Sequence, residues 1–385
     1  MTRYTRVRFR PRGQFHFGGR GVGMERSDVW LPADSLFSAL CTVLADQHGA
    51  DIVEELLAEF RGARTPSDAP FRLTSLMPYA ADVSFLPYPM VGPPRIPNAT
   101  DLRRRKQFKA VQWVSSNVFR ALARHESPTA ALENDLPTTI HGGKIWLTLK
   151  EKDGLESFMA RHPETGKPQS PVLWRTHLRP RVTVDRKTLK SAVYALGGTA
   201  FNRTKDSSAG LYTVVEWLAA DESVQALIKG AFEQLGEVGI GGKRSSGFGQ
   251  FVPNFEDFVN WSIGASDGDF FTTFSPYHPR PNEREVIGPE ARYEIELRRG
   301  WLSLSGYMNL RRASIRMIAD GSVLRWPSTV TPFGDLVDVT PKTLFENEGP
   351  TVYRYGLVFP VRIANAAMKP SDQIETRRQL DGGRS

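Results

Sequence analysis

The chain has 385 residues, 40% of them apolar and 24% charged, enough apolar content to bury a core in each of two domains and too much for a disordered chain. A formal net charge of +8 gives the surface a positive potential that attracts polyanions, so nucleic acid is the first partner to expect. The single cysteine, Cys41, excludes an intramolecular disulfide and a thiolate zinc cluster, and no stretch is apolar enough to span a bilayer, so the expected setting is cytoplasmic.

In chain order, residues 4–17 alternate apolar with polar or basic side chains through Val7, Phe9, Phe15 and Phe17, as a half-buried strand does. After a glycine-rich turn, Leu36, Phe37, Leu40, Val43 and Leu44 predict a helix, with Asp34 placed to cap it, and Ile52–Phe60 predicts a second. Leu73–Met77 predicts a strand, and the prolines from Pro87 to Pro97 an irregular excursion. Residues 101–125 predict one inserted basic helix, with Val111, Val114, Val118 and Leu122 on one side and Arg103, Arg104, Arg105, Lys106 and Lys109 among the rest. Two strand-like runs, Arg181–Asp185 and Leu211–Leu218, flank the polar segment Gly197–Gly210, which predicts a long hairpin tip suited to touching RNA.

The strongest helical stripe is Val224, Leu227, Ile228, Ala231, Phe232 and Leu235, ending at Gly236, with a strand at Phe248–Val252. Composition shifts at residues 262–268. Beyond this boundary, Tyr293–Leu297 and Trp301–Leu304 predict strands, Leu310–Ile318 a short helix ending at Gly321, and Val352–Ile363 a late strand. The expected organisation is an N-terminal domain, residues 1–262, with a basic insertion at about 95–140, then a C-terminal domain, 268–368, and a polar tail, 369–385. Strands and helices interleaved without regular βα alternation favour an α+β fold, and two ferredoxin-like βαββαβ units would account for it.

The segment Gly239 to Gly249 carries the most chemistry. Gly239, Gly241, Gly242 and Gly247 let the backbone turn and approach closely, so that N–H groups can face phosphate oxygens. Lys243 and Arg244 supply charge, and Ser245 and Ser246 hydroxyl donors. It is not a P-loop, because Glu237 stands where the first glycine would be, Arg244 follows the lysine, and a strand follows the loop. A second glycine-rich turn, with Gly18, Arg20 and Gly21, follows His16 and suits close approach of an RNA backbone. Arg181, Arg186 and Lys205 on the expected hairpin would clamp the strand. Metalloprotease, CxxC and GxSxG patterns are absent, and the seven histidines lack ligand spacing, so neither a catalytic residue, a metal site nor a cofactor is assigned. One catalytic alternative stays open: a metal-independent endoribonuclease processing guide-RNA precursor, with His16 as general base and Lys243 stabilising the developing oxyanion.

Phe15-His16-Phe17-Gly18, Gly21-Val22-Gly23-Met24-Glu25-Arg26-Ser27-Asp28 and Pro32-Ala33-Asp34-Ser35-Leu36-Phe37, in that order, resemble the opening of the RAMP-superfamily subunit conventionally numbered fourth in type III-A CRISPR (Csm) effector complexes. The Gly239–Gly249 loop is similar to that family's glycine-rich loop, and residues 181–186 to its basic hairpin. Residues 334–339 and 353–356 resemble its C-terminal half. The resemblance implies two ferredoxin-like (RRM-like, RAMP) domains and recognition of the repeat-derived 5′ handle of the crRNA. It also implies docking to the large polymerase/cyclase subunit at the complex base, beside a backbone RAMP subunit, with no RNA cleavage by the chain itself.

Overall fold

A computed structural model describes residues 3–18, 27–91, 102–133, 136–161, 165–166, 168–184, 187, 190–302, 310–341 and 351–368. It divides into two units, residues 1–84 with 155–261 and residues 85–154 with 262–385. The fold mixes helices with several antiparallel sheets and is of the α+β class.

The first unit opens with β1 (Tyr4–Pro11), α1 (Ala33–His48), α2 (Ala50–Gly62), β2 (Phe71–Leu73) and β3 (Met77–Ala80). After the excursion it continues with β4 (Trp174–Val184), β5 (Ser191–Phe201), β6 (Ala209–Trp217), α3 (Glu222–Val238) and β7 (Phe251–Phe258). Strand β1 is central: Val7 lies opposite Thr213 of β6 and Phe255 of β7, both antiparallel. Beyond β6 come β2 and β3, giving the order β7, β1, β6, then β2 with β3. Alternation along β1 buries Thr5, Val7 and Phe9. The Phe9 ring stacks on Phe251 at 3.8 Å and meets Phe232 of α3 edge-on at 5.9 Å. Asp221 caps α3 by accepting the Val224 N–H, and Gly239, at φ 85°, ends it.

Several expectations need correction. Strand β1 stops at Pro11, and α1 is preceded by Pro32 with no side-chain cap bond, so Asp34 is a buried first-turn residue instead of the cap. The predicted strand at 73–77 is two, β2 and β3, offset by the stretch that pairs Leu31 with Leu76. The strand after the glycine-rich loop begins at Phe251, not Phe248.

The basic insertion is not one helix. Leu102–Ala110 and Ser116–Ala123 are helical, but Trp113–Ser115 between them is a strand that pairs with Phe85–Pro87 and, in parallel, with Ile145–Trp146. The side chains of Arg103, Arg104 and Arg105 lie outside the described residues. Residues 85–154 also group with the C-terminal part of the chain, where a contiguous 1–262 domain was expected. The contacts explain it: Ala364 N–H donates to Ala123 O at 2.8 Å, Met90 N–H to Gly321 O at 2.8 Å, and the Phe119 and Phe274 rings lie 5.1 Å apart.

In the second unit a core of Phe271, Tyr277, Val286, Ile318, Leu324 and Val358 sits under strand Phe270–Thr273, which is flanked by Val323–Arg325 and Pro360–Ile363. Two further pairs join Ile295–Arg298 to Ile315–Ile318 and Gly334–Asp338 to Tyr353–Leu357. The predicted helix 310–318 is therefore a strand at its C-terminal end, and the late strand 352–363 is two. Strand 301–304 reduces, among the described residues, to a bridge from Trp301 to Arg311. The tail, 369–385, lies outside the described residues.

Candidate nucleic-acid interface

Residues 13–17, just after β1, run between the glycine-rich loop and β5. Phe15 and Thr199 exchange backbone hydrogen bonds at 2.9 and 2.8 Å, which attaches this stretch to the root of β5. On its other side Gly242 N–H donates to His16 O, and Gly249 N–H to Gln14 O, each at 2.8 Å. The loop therefore grips residues 14–16 by their backbone. A Cβ on Gly242 would lie 2.7 Å from His16 Cδ2, so the glycine is required by close approach. Gly249 meets both requirements, with φ +84° and a Cβ position 2.1 Å from Ile240 O.

His16 is only 7% exposed, and its Nδ1 lies 2.7 Å from Gly197 O. A carbonyl accepts, so Nδ1 carries the proton. The ring is wedged between β5 and the loop as a strut joining them.

The loop crest forms a single short turn. Lys243 adopts a left-handed conformation, φ 61°, and Ser246 and Gly247 N–H groups return to Lys243 O and Arg244 O at 2.9 Å. The N–H groups of Lys243, Arg244 and Ser245 have no acceptor among the described residues, and the side chains from Arg244 to Ser246 are exposed. Three successive free donors beside two cations form an anion-facing crest. At the base of the loop, Arg12 bonds the Glu237 carboxylate at 2.7 Å and holds it below the usual carboxyl range, so this acid is neutralised by its neighbour.

Strands β4 and β5 pair antiparallel along their whole length, from Trp174 opposite Phe201 to Val184 opposite Ser191, and the expected tip at 197–210 is instead the β5 strand end followed by a tight turn. The two faces of this hairpin differ. Arg175, His177, Arg179 and Arg181 occupy one face at every second position, opposite Ala200, Gly198, Leu196 and Tyr194. Leu178, Pro180, Val182 and Val184 occupy the other with Val193 and Ala195, and Val193 is 74% exposed. The Lys243 ammonium lies 5.6 Å from the centre of the Tyr194 ring, so the basic face of the hairpin meets the loop crest through one tyrosine.

The cations here differ from those in and beside β1. Arg3, Arg6, Arg8 and Arg12 each pair with a carboxylate, from Glu216, Glu256, Asp82 and Glu237. Arg175, Arg179, Arg181, Lys243 and Arg244 have no carboxylate partner among the described residues. Unpaired guanidiniums along one ribbon, a tyrosine and a glycine-rich crest form a surface that can bind phosphates and stack a base.

Of the residues read from sequence, His16, Gly239, Gly241, Gly242, Lys243, Arg244, Ser245, Ser246, Gly247 and Arg181 come together here. Gly18 lies farther along the same stretch, bridged to Ser27. Lys205 does not join them: it sits in the turn closed by Thr204 and Ser207, past the hairpin root, about 20 Å of strand away from Arg181. Arg20, Gly21 and Arg186 lie outside the described residues. Sequence reading missed Arg175, His177, Arg179 and Tyr194, although the period-two spacing of 175, 177, 179 and 181 was the available signal. Among the described residues no group of His, Cys, Asp or Glu is placed to hold a metal ion, and no helix is long and apolar enough to cross a membrane.

Residues 266–363 match the family model of the CRISPR Csm4 C-terminal domain. Relatives with the name CRISPR system Cms protein Csm4 include one from Thermococcus onnurineus, 23% identical over 94% of this chain and 98% of its own length. Another, from Mycobacterium tuberculosis, is 27% identical over 84% of this chain and 88% of its own. The fold is similar to a chain of the Csm3-Csm4 subcomplex in the type III-A CRISPR-Cas interference complex, with TM-score 0.59 at 15% identity over 94% of this chain and 99% of that one. It is also similar to a chain of the Csm1-Csm4 cassette in complex with cA4, with TM-score 0.54 at 18% identity over 94% of this chain and 98% of that one. Matched over residues 266–363 by the Csm4 C-terminal domain model and aligned with these relatives along almost its whole length, the chain is similar to Csm4 proteins of CRISPR systems.

Proposed function

We propose that this chain is a non-catalytic RNA-binding subunit of a type III-A CRISPR effector complex that holds the repeat-derived 5′ handle of the crRNA. The observation that carries this reading is a row of arginines, Arg175, Arg179 and Arg181, along one face of β4, which leads to Tyr194 and there meets Lys243 of a crest with free backbone donors; none of these cations, nor Arg244, has a carboxylate partner among the described residues. In this reading the crest binds handle phosphates, and the Arg face of the hairpin tracks the strand. Docking to a large polymerase/cyclase subunit and to a backbone RAMP subunit, in the cytoplasm, is the corresponding assembly role. Its support is the presence of chains of similar fold in Csm1-Csm4 and Csm3-Csm4 structures.

The first unit is proposed to be a ferredoxin-like RAMP domain. Its succession of β1, α1, β3, β6, α3 and β7 with sheet order β7, β1, β6, β3 supports this. A second such domain rests on the resemblance alone, since no α-helix lies between residues 262 and 364 among the described residues. Support for a non-catalytic role comes from His16, whose ring is buried and whose Nδ1 is engaged by Gly197 O, a strut geometry unlike that of a general base open to RNA.

The test is titration of the purified chain, in EDTA and at two salt concentrations, with handle-bearing and handle-scrambled guide RNA, while following both RNAs for cleavage. Handle-preferring, salt-sensitive binding without cleavage is expected. Equal affinity for the two RNAs would remove the handle assignment, and cleavage lost in His16→Ala would establish the nuclease instead.

A further inference from the structure

The second unit has an exposed indole that its own fold does not account for. Trp301 is 56% exposed, whereas its neighbour Leu302 is buried. The backbone enforces this split. Leu302 N–H donates to Leu310 O at 2.8 Å and Arg312 N–H to Gly300 O at 3.0 Å, which makes Trp301 and Arg311 the non-hydrogen-bonded pair of a short antiparallel ladder. Side chains of such a pair are the closer kind and share a face. Arg311 accordingly lies over the ring, with its guanidinium carbon 4.7 Å from the centroid. One face of the indole is covered by a cation, and the remainder faces solvent.

The surroundings are basic. Arg299, Arg311 and Arg316 are exposed and have no carboxylate partner among the described residues, whereas Arg298 is matched by Glu296 at 3.7 Å. Arg354 is buried beneath this segment, with Nη2 donating to Arg299 O at 3.2 Å, and thereby fixes the turn that presents Trp301. A ring held in place by a guanidinium loses little freedom when a flat ligand stacks on it, and the unpaired arginines supply charge for an adjoining phosphate.

We propose that Trp301 and Arg311 form a second single-stranded RNA contact on this chain, in which one base stacks on the open part of the indole and Arg311 with Arg299 faces the flanking phosphates. This contact lies on the other unit from the glycine-rich loop and does not depend on the reading of that loop.

The test uses the full-length chain and a fluorescein-labelled twelve-nucleotide oligoadenylate RNA that carries no handle sequence, titrated by anisotropy. Trp301→Ala is expected to weaken binding by about 5- to 150-fold, the range for loss of one base stack, and Trp301→Phe to keep most of it. Arg311→Lys keeps the charge but not the planar group and is expected to fall between wild type and Arg311→Ala. Quenching of tryptophan fluorescence by the RNA is expected to diminish in Trp301→Phe. A Trp301→Ala chain that melts like wild type and binds with wild-type affinity overturns the proposal, as does the absence of any binding by wild type. The Lys243→Ala/Arg244→Ala chain separates the two sites: a Trp301 effect that persists in that background belongs to the second unit.

Discussion

Replacing Lys243 and Arg244 together by alanine removes two of the five cations on the proposed RNA path that lack a carboxylate partner among the described residues, leaving Arg175, Arg179 and Arg181. If each cation neutralises one phosphate of a single strand, log K falls with log[salt] with a slope of about −3.5 for the wild type and about −2.1 for the variant. Raising salt from about 50 to about 200 mM should then cost the wild type about 130-fold in affinity and the variant only about 20-fold. Anisotropy titrations of handle-bearing RNA at four salt concentrations measure both slopes. Arg244 is exposed and Lys243 keeps a Cβ at the same backbone angle, so thermal melting of the variant should match wild type. Parallel lines with unchanged affinity would refute the argument, because two charges in contact with phosphates cannot be removed without changing the slope.

Gly249→Ala would put a methyl group 2.1 Å from Ile240 O at φ +84°, and is expected to cost about 1–3 kcal/mol in a thermal melt; an unchanged midpoint would contradict the loop geometry. Glu283, buried in the second unit, accepts from Tyr277 OH and from the N–H groups of Arg280, Phe333 and Gly334. Its replacement by glutamine should cost about 1–3 kcal/mol in urea unfolding, since the amide cannot accept all of these bonds. For Glu216, burial alone would raise the carboxyl value, but the Arg72 charge and hydrogen bond, with bonds from Arg3 and Tyr4, outweigh it and hold the value below the ordinary one. A depressed native value means that its stabilisation is fully present above the unfolded value of about 4.3 and is lost as pH falls through the native value. Arg72→Ala should therefore move acid unfolding to higher pH and lower stability at pH 7, and an unaltered acid midpoint would show that the pair contributes nothing.

The parts of the fold that sequence made legible are those in which one periodicity runs uninterrupted. The stripe through Ile228, Ala231, Phe232 and Leu235 and the alternation through Thr5, Val7 and Phe9 each face a single core. Reading failed where tertiary pairing overrides the local period. Residues 101–125 keep helical spacing across Val111, Val114 and Val118, yet Trp113–Ser115 is drawn into a ladder with Phe85 and Leu86, and Ser115 then caps the next helix through Val118 N–H. Leu310–Ile318 reads as a helix by spacing, but Ile315–Ile318 extends to pair with Ile295–Arg298. At the site, the glycine-rich loop was legible from composition, whereas its contacts were not. Gly197 and Gly198 suggested a hairpin tip, but they lie inside β5: Gly198 leaves the space that Gln14 and Phe248 fill, and Gly197 O holds His16. No local pattern encodes a glycine whose purpose lies 180 residues upstream.

The two-sided exposure of the β4–β5 ribbon has a consequence for how copies of the chain tolerate one another. A projecting strand with an open edge and an apolar flank is a template for another strand, and at the concentrations of synthesis it would recruit its own kind. β4 counters this along its length. Pro180, midway, lacks the N–H that a new neighbour would need, and Arg175, Arg179 and Arg181 would bring like charges together in an edge-to-edge pair of identical strands that sets their basic faces on one side. The same arginines that invite a polyanion thus keep the ribbon solitary until one arrives.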